Sequence, residues 1–117
     1  MNKRNIGKFG EELASKYFQN LGYNIVAHNF HTRYGEIDLI LRKDNLYRFV
    51  EVKFRSKLDY GLPQESVIKN KQEKIKKATL YWLRLHHLPL DTEIHFDVLA
   101  ITRRGTKIEY EHLKDAF

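Results

Sequence analysis

Two apolar runs constrain this chain more than anything else in it. Residues 35–42, GEIDLILR, and residues 47–55, YRFVEVKFR, are separated by a short stretch containing Lys43-Asp44-Asn45. Runs of this length with turn residues between them predict a β-hairpin. Yet Glu36, Asp38, Glu51 and Lys53 fall inside the runs rather than at their ends. Successive side chains of a strand point to opposite faces. Ile37, Leu39 and Leu41 therefore share one predicted face, and Glu36, Asp38 and Ile40 the other. In the second run Val50, Val52 and Phe54 share a face, opposite Phe49, Glu51, Lys53 and Arg55. The polar residues are confined to one side of each strand.

With Asp44-Asn45 as a two-residue loop, facing residues have numbers summing to 44 + 45 = 89. Asp38 then faces Glu51, and Glu36 faces Lys53. Directly opposed Cβ atoms lie roughly 4.5–5.5 Å apart. Two ionised carboxylates at that separation repel unless they share a proton or a cation. Mg²⁺ meets the need, because it takes oxygen ligands and often only one or two carboxylates. Asp38 and Glu51 are the candidate metal ligands, with Mn²⁺ as an alternative ion. Lys53, on the same face, has the chemistry to orient or deprotonate a water, or to offset charge developing on a phosphate. The same alternation also describes a sheet with one solvated face, on which Glu36 and Lys53 form a plain ion pair. Pattern alone leaves both readings open.

The remaining elements follow from periodicity and breakers. Ile6, Phe9, Leu13, Tyr17 and Leu21 recur at helical spacing, which predicts a helix over 5–21 stopped by Gly22. Residues 23–32 suit a strand, and 57–65 a loop. A second helix is predicted to start between Ser66 and Asn70 and to run to about His87. Asn70 with Glu73 offers a capping box, and Pro89 follows the end. Residues 93–103 and 107–113 read as strands joined through Arg104-Gly105. The order αβββαββ predicts one mixed α/β domain spanning the 117 residues, with helices covering a small sheet.

Charge and composition bound the function. Lys and Arg number 21 against 15 Asp and Glu, a formal net charge of +6. A basic surface favours a polyanionic partner, nucleic acid first. No apolar run approaches the ~18 residues of a membrane span, so no membrane partner is expected. The opening MNKRNIGKFGEE has charge but no apolar core, so no secretory signal is expected. Cysteine is absent, which excludes disulfides and thiolate metal sites and favours a cytoplasmic location. The six histidines show no metal-ligand spacing. A homodimer is compatible with the chain but nothing in it specifies one.

An acid followed after a gap by Glu-x-Lys, here EID at 36–38 and EVK at 51–53, resembles the PD-(D/E)XK nuclease signature. The wider set of GKFGEELA at 7–14, GY at 22–23, GEIDLI at 35–40, FVEVKFR at 49–55, Lys71 and FDV at 96–98 resembles the YraN-type uncharacterised family. That family is similar in fold and motif to Holliday-junction resolvases and other restriction-endonuclease-like nucleases. The resemblance covers roughly residues 5–100. It implies a restriction-endonuclease-like fold and a Mg²⁺-dependent endonuclease acting on DNA, with branched and single-stranded DNA as candidate substrates. A catalytically silent nucleic-acid-binding module of the same fold is the alternative. Asp38 and Glu51 match the metal ligands, Lys53 the catalytic lysine, and Glu11 the first-helix acid that joins the metal site. Ile37 stands where the signature carries proline.

Several further residues invite a role. Lys71 falls within the apolar stripe of the second helix with Ile68, Ile75, Ala78 and Trp82. Its stem can lie on apolar surface while the ammonium reaches the edge, where a phosphate would meet it. The basic run 69–77, including Lys74, and Arg55 with Lys57 are candidate backbone contacts to nucleic acid. The same residues also suit a solvated face. Tyr34 and Tyr60 have rings able to stack on exposed bases. Asp97, mid-strand, is expected to pair with a core Arg or His.

Overall fold

The computed structural model describes residues 3–56 and 69–117, with side chains defined from Gly7 onward except at Ser56. The elements are α1 (Lys3–Asn20), β1 (Asn24–His31), β2 (Glu36–Lys43), β3 (Leu46–Ser56), α2 (Lys69–Leu85), β4 (Glu93–Arg104) and β5 (Lys107–Leu113). This is the expected αβββαββ order. The segment expected as a loop, 57–65, lies outside the described residues. Among these residues no helix is long and apolar enough to cross a membrane.

The five strands form one sheet in sequential order, β1-β2-β3-β4-β5. Three of the four pairings are antiparallel, and β3 with β4 is parallel. Antiparallel neighbours need only tight turns, whereas a parallel pair needs a crossover. The connection between β3 and β4 carries α2, which lies over one face of the sheet. Each face therefore has its own helix and its own apolar cluster. Ala14 and Phe18 of α1 pack with Leu39, Leu41, Val50, Leu99 and Ile101. Ile75, Ala78, Trp82 and Leu83 of α2 pack with Ile37, Ile40, Phe49 and Val98. This architecture is the small restriction-endonuclease-like α/β arrangement expected.

Local details show where the expectations held and where packing altered them. The β2–β3 register sums to 89 from Leu39↔Val50 to Lys43↔Leu46, with Asp44 in the turn at a φ of 55°. Gly22 ends α1 at a φ of 90°, with the Tyr23 N–H donating to the Phe18 carbonyl at 3.0 Å. The buried row of α1 is Gly10, Ala14 and Phe18, however, while Phe9, Leu13 and Tyr17 flank it and Leu21 is exposed. A Cβ on Gly10 would stand 3.0 Å from that of Phe54, so the glycine lets the helix settle directly on β3. Asn70 is inside α2 and so does not cap it. Ile37 joins the cluster under α2 instead of siding with Leu39 and Leu41.

On the α1 side lies a buried polar network. Asp97, fully buried, accepts from Arg48 Nη1 at 3.1 and 3.2 Å and from the Asp115 N–H at 3.0 Å. His112 Nε2 is 2.7 Å from its other oxygen, and Arg48 Nε donates to the Tyr23 hydroxyl at 3.1 Å. The expected pairing of Asp97 with a core Arg or His is met by both at once. A buried carboxylate is tolerated because each of its oxygens has charged or N–H partners.

Candidate functional site

The acidic face of the hairpin is covered by α2. Glu51 is only 5% exposed, so the simple solvated face open at the sequence level is not what forms. The backbone ladder between β2 and β3 stops at Leu39↔Val50. One step further, the side chain of Asp38 takes over, its Oδ2 accepting from the Val52 N–H at 2.8 Å. That bond holds Asp38 against β3, beside Glu51.

Two ammonium groups converge on Glu51. Lys71 Nζ donates to Glu51 Oε1, and Lys53 Nζ is 3.3 Å from the same oxygen. Lys71 reaches the site from the N-terminal turn of α2, which makes its place in the apolar stripe intelligible. Its stem lies along the covered face and its head meets a carboxylate. Gly35 explains how the helix comes so close. A Cβ there would lie 3.0 Å from the Lys74 Cβ and 3.2 Å from the Lys74 carbonyl oxygen. Glycine at 35 thus brings α2 against the start of β2. Gly35, Glu36, Asp38, Glu51, Lys71 and Lys74 line a cleft of ≈ 480 Å³, with Asn70 and Ile75 completing its wall.

The electrostatics are uneven. Burial, and then the charge of Glu51, push the Asp38 carboxyl up to about 7. Glu36 adds to the rise, while the Val52 N–H and Lys71 oppose it. Burial alone would lower the Lys71 ammonium, but its hydrogen bond to Glu51 and the charge of that carboxylate raise it instead. Glu51 thus has its cations, whereas Asp38 is held toward its neutral form, first by burial and then by the charge of Glu51.

The cleft gathers Asp38, Glu51, Lys71 and Lys74, with Lys53 reaching Glu51 at 3.3 Å, but not every residue expected there. Glu11 Oε2 accepts from Asn29 Nδ2 at 2.8 Å, and Glu11 lines a separate cleft with Lys8, Lys16 and His28. Arg55 is half-buried further along β3, and Lys57 and Tyr60 lie outside the described residues. Gly35 lines the cleft without having been given a role, and Glu36 and Asn70, expected as a cross-strand acid and a helix cap, line it as well. The signal for Gly35 was its position directly before the acid-bearing strand, a place where glycine permits close backbone approach.

Residues 10–101 match the profile of the uncharacterised protein family UPF0102. The chain belongs to this family. A UPF0102 protein of Caldicellulosiruptor bescii is 44% identical over 122 residues, covering 100% of both chains. One from Syntrophomonas wolfei is 42% identical over 116 residues, covering 97% of this chain and 98% of its own. One from Dictyoglomus turgidum is 38% identical over 119 residues, with 100% of both covered. The expected YraN-type membership is this same assignment.

Within this UPF0102 fold, Asp38 and Glu51 are the neighbouring carboxylates that a hard divalent cation could use. Among the described residues no group of three or more His, Asp or Glu side chains is arranged to hold a metal. Two carboxylates suit Mg²⁺, which keeps several waters and tends to add substrate phosphate oxygens. A cation here would offset the burial of Asp38 and the charge of Glu51 beside it, which together raise the Asp38 carboxyl.

Proposed function

We propose that this chain is a Mg²⁺- or Mn²⁺-dependent endonuclease that hydrolyses phosphodiester bonds in DNA, with branched and single-stranded DNA as candidate substrates. The single observation that carries this reading is the meeting of Lys53 and Lys71 on Glu51, in a cleft that Glu51 shares with Asp38. Asp38 and Glu51 are the residues to hold the ion. Such an ion would supply Lewis-acid polarisation of a phosphate and a lowered pKa for an attacking water. Asp38, with a carboxyl pushed up to about 7, would bind such an ion as its carboxylate, releasing its proton. Lys53, half-buried beside Glu51 Oε1, orients the water or offsets charge building on the phosphate. Lys71 and Lys74 meet the incoming phosphate from the helix side, and the net charge of +6 draws the polyanion in.

The test is to incubate purified protein with branched, nicked and single-stranded DNA in Mg²⁺ or Mn²⁺. Cleavage is expected from the native chain. It should fall by about 10²-fold or more in Lys53→Ala and in Glu51→Gln. Cleavage that survives in the Glu51→Gln, Lys53→Ala double variant eliminates the assignment.

One observation favours a second reading, a nucleic-acid-binding module without chemistry. Both ammonium groups already neutralise Glu51, as they would in a site with no metal to bind. That reading expects salt-sensitive DNA binding with no cleavage at any divalent concentration.

A further inference from the structure

Beside the cleft lies a second recess that the proposed chemistry does not use. Thr32, Arg33 and Tyr34, in the β1–β2 connection, line it together with Tyr81 of α2. It continues along α2 past Lys77, Leu80 and Arg84, with Tyr34 and Tyr81 shared by both parts. Tyr81 is 46% exposed, and Phe30 backs it at a ring separation of 6.2 Å and 30° between planes. One ring is thus supported from behind and open to solvent elsewhere.

Tyr34 is held rather than loose. Thr32 Oγ1 accepts from the Tyr34 and Gly35 N–H groups, each at 3.0 Å, and the Thr32 N–H donates to the Gly35 carbonyl at 2.9 Å. This is a side-chain-closed turn of the kind threonine favours. Arg33 Nη2 donates to the Tyr34 hydroxyl at 2.7 Å, and its guanidinium stands 4.9 Å from the ring centre. A guanidinium has five N–H donors, so Arg33 keeps others for a phosphate. Among the described residues no ion pair engages Lys77 or Arg84. Glu73, one turn before Lys77, is 3.9 Å from Lys76 Nζ, and Glu36 is 3.5 Å from His31 Nδ1.

The recess adjoins the cleft. Tyr34 directly precedes Gly35, which lines the cleft, and Lys77 lies about one helical turn beyond Lys74 on α2. One extended chain can therefore pass from the recess to the cleft.

We propose that Tyr34 and Tyr81 form a stacking platform for unpaired bases, with Lys77 and Arg84 holding the adjoining phosphates. Resting on the nuclease reading, this assigns single-stranded segments of nucleic acid, free or at the arms of a branched molecule, as what leads into the cleft. Exposed bases stack on aromatic rings and duplex bases do not, so the platform supplies a preference that charge alone lacks.

The test uses fluorescence anisotropy in chelator, where cleavage plays no part, with three labelled probes. These are a single-stranded oligonucleotide, its duplex, and a single strand with abasic positions in place of bases. The native chain should bind the intact single strand at least about fivefold more tightly than the abasic one. Tyr81→Ala and Tyr34→Ala should each reduce that preference, while Tyr81→Phe keeps it. Arg84→Ala should weaken all three probes alike. Equal binding of intact and abasic strands by the native chain overturns the platform, as does a preference unchanged in both alanine variants. Neither result touches the metal-dependent cleavage assay. Conversely, a tyrosine-dependent preference in a chain that never cuts DNA keeps the platform and removes the nuclease.

Discussion

Lys71 on α2 and Glu51 on β3, twenty positions apart in the chain, are joined ammonium to carboxylate across the covered face of the sheet. The bond ties the crossover helix to the strand that carries Glu-x-Lys. It also lowers the negative potential felt by Asp38, which Lys71 opposes and Glu51 strengthens.

Removing the Lys71 charge should therefore register at Asp38. In Lys71→Met the apolar stem is kept and the ammonium is lost. The Asp38 carboxyl should then titrate above its value of about 7. Carboxyl carbon chemical shifts followed by NMR against pH, in chelator, would read this directly. A titration that stays in place would show that the two groups do not communicate.

Asp38 makes stability depend on pH. Its folded pKa is about 7 against an ordinary 3.8, so the native state keeps a proton that the unfolded chain releases. The sign follows: without divalent ions, stability contributed by this group declines as pH rises from about 4 to about 7, then levels off. Asp38→Asn removes that dependence. At pH 8 it should be more stable than the native chain by about 2 kcal/mol, with the gap shrinking toward pH 4. Urea unfolding at several pH values measures it.

The Asp97 network should show the opposite slope. Burial would raise this carboxyl, but His112, the Asp115 N–H and Arg48 together hold it below the ordinary range. Its stabilisation is complete above the unfolded pKa and is lost as pH falls through the folded one. Asp97→Asn should cost about 3–5 kcal/mol at pH 7, because Arg48 is left buried without its counter-charge. The difference from the native chain should close in acid below about pH 4.

Thr79 is fully buried on α2, and its hydroxyl has no hydrogen-bond partner among the described residues. An unpaired buried hydroxyl costs free energy that a methyl does not. Thr79→Val should be stabilising by about 1 kcal/mol. A loss of stability in thermal unfolding would mean that the hydroxyl is satisfied.

The hairpin was legible because its information is local. Asp44-Asn45 sets a two-residue turn, and the turn sets the register of every residue pair up to Leu39↔Val50. Asp38 and Glu51 were legible for the same reason, since alternation put both acids on one side. The cover over that side was not. It depends on the parallel pairing of β3 with β4, a long-range contact that no short stretch encodes. The α1 stripe was misplaced because Gly10 adds nothing to an apolar pattern, yet it is where the helix makes its closest approach to Phe54. Glu11 beside Gly10 was expected in the metal site, but Asn29 holds it at a different cleft. Lys71 was visible as a charge within an apolar row, and only the fold supplied its partner.

Whether Asp38 and Glu51 hold a divalent ion is read by calorimetric titration of the chain with Mn²⁺, alongside Asp38→Asn. The native protein should hold one ion tightly per chain, with proton release near neutral pH, and the variant should lose that site. Absence of stoichiometric binding, or binding equally strong in Asp38→Asn, would contradict it.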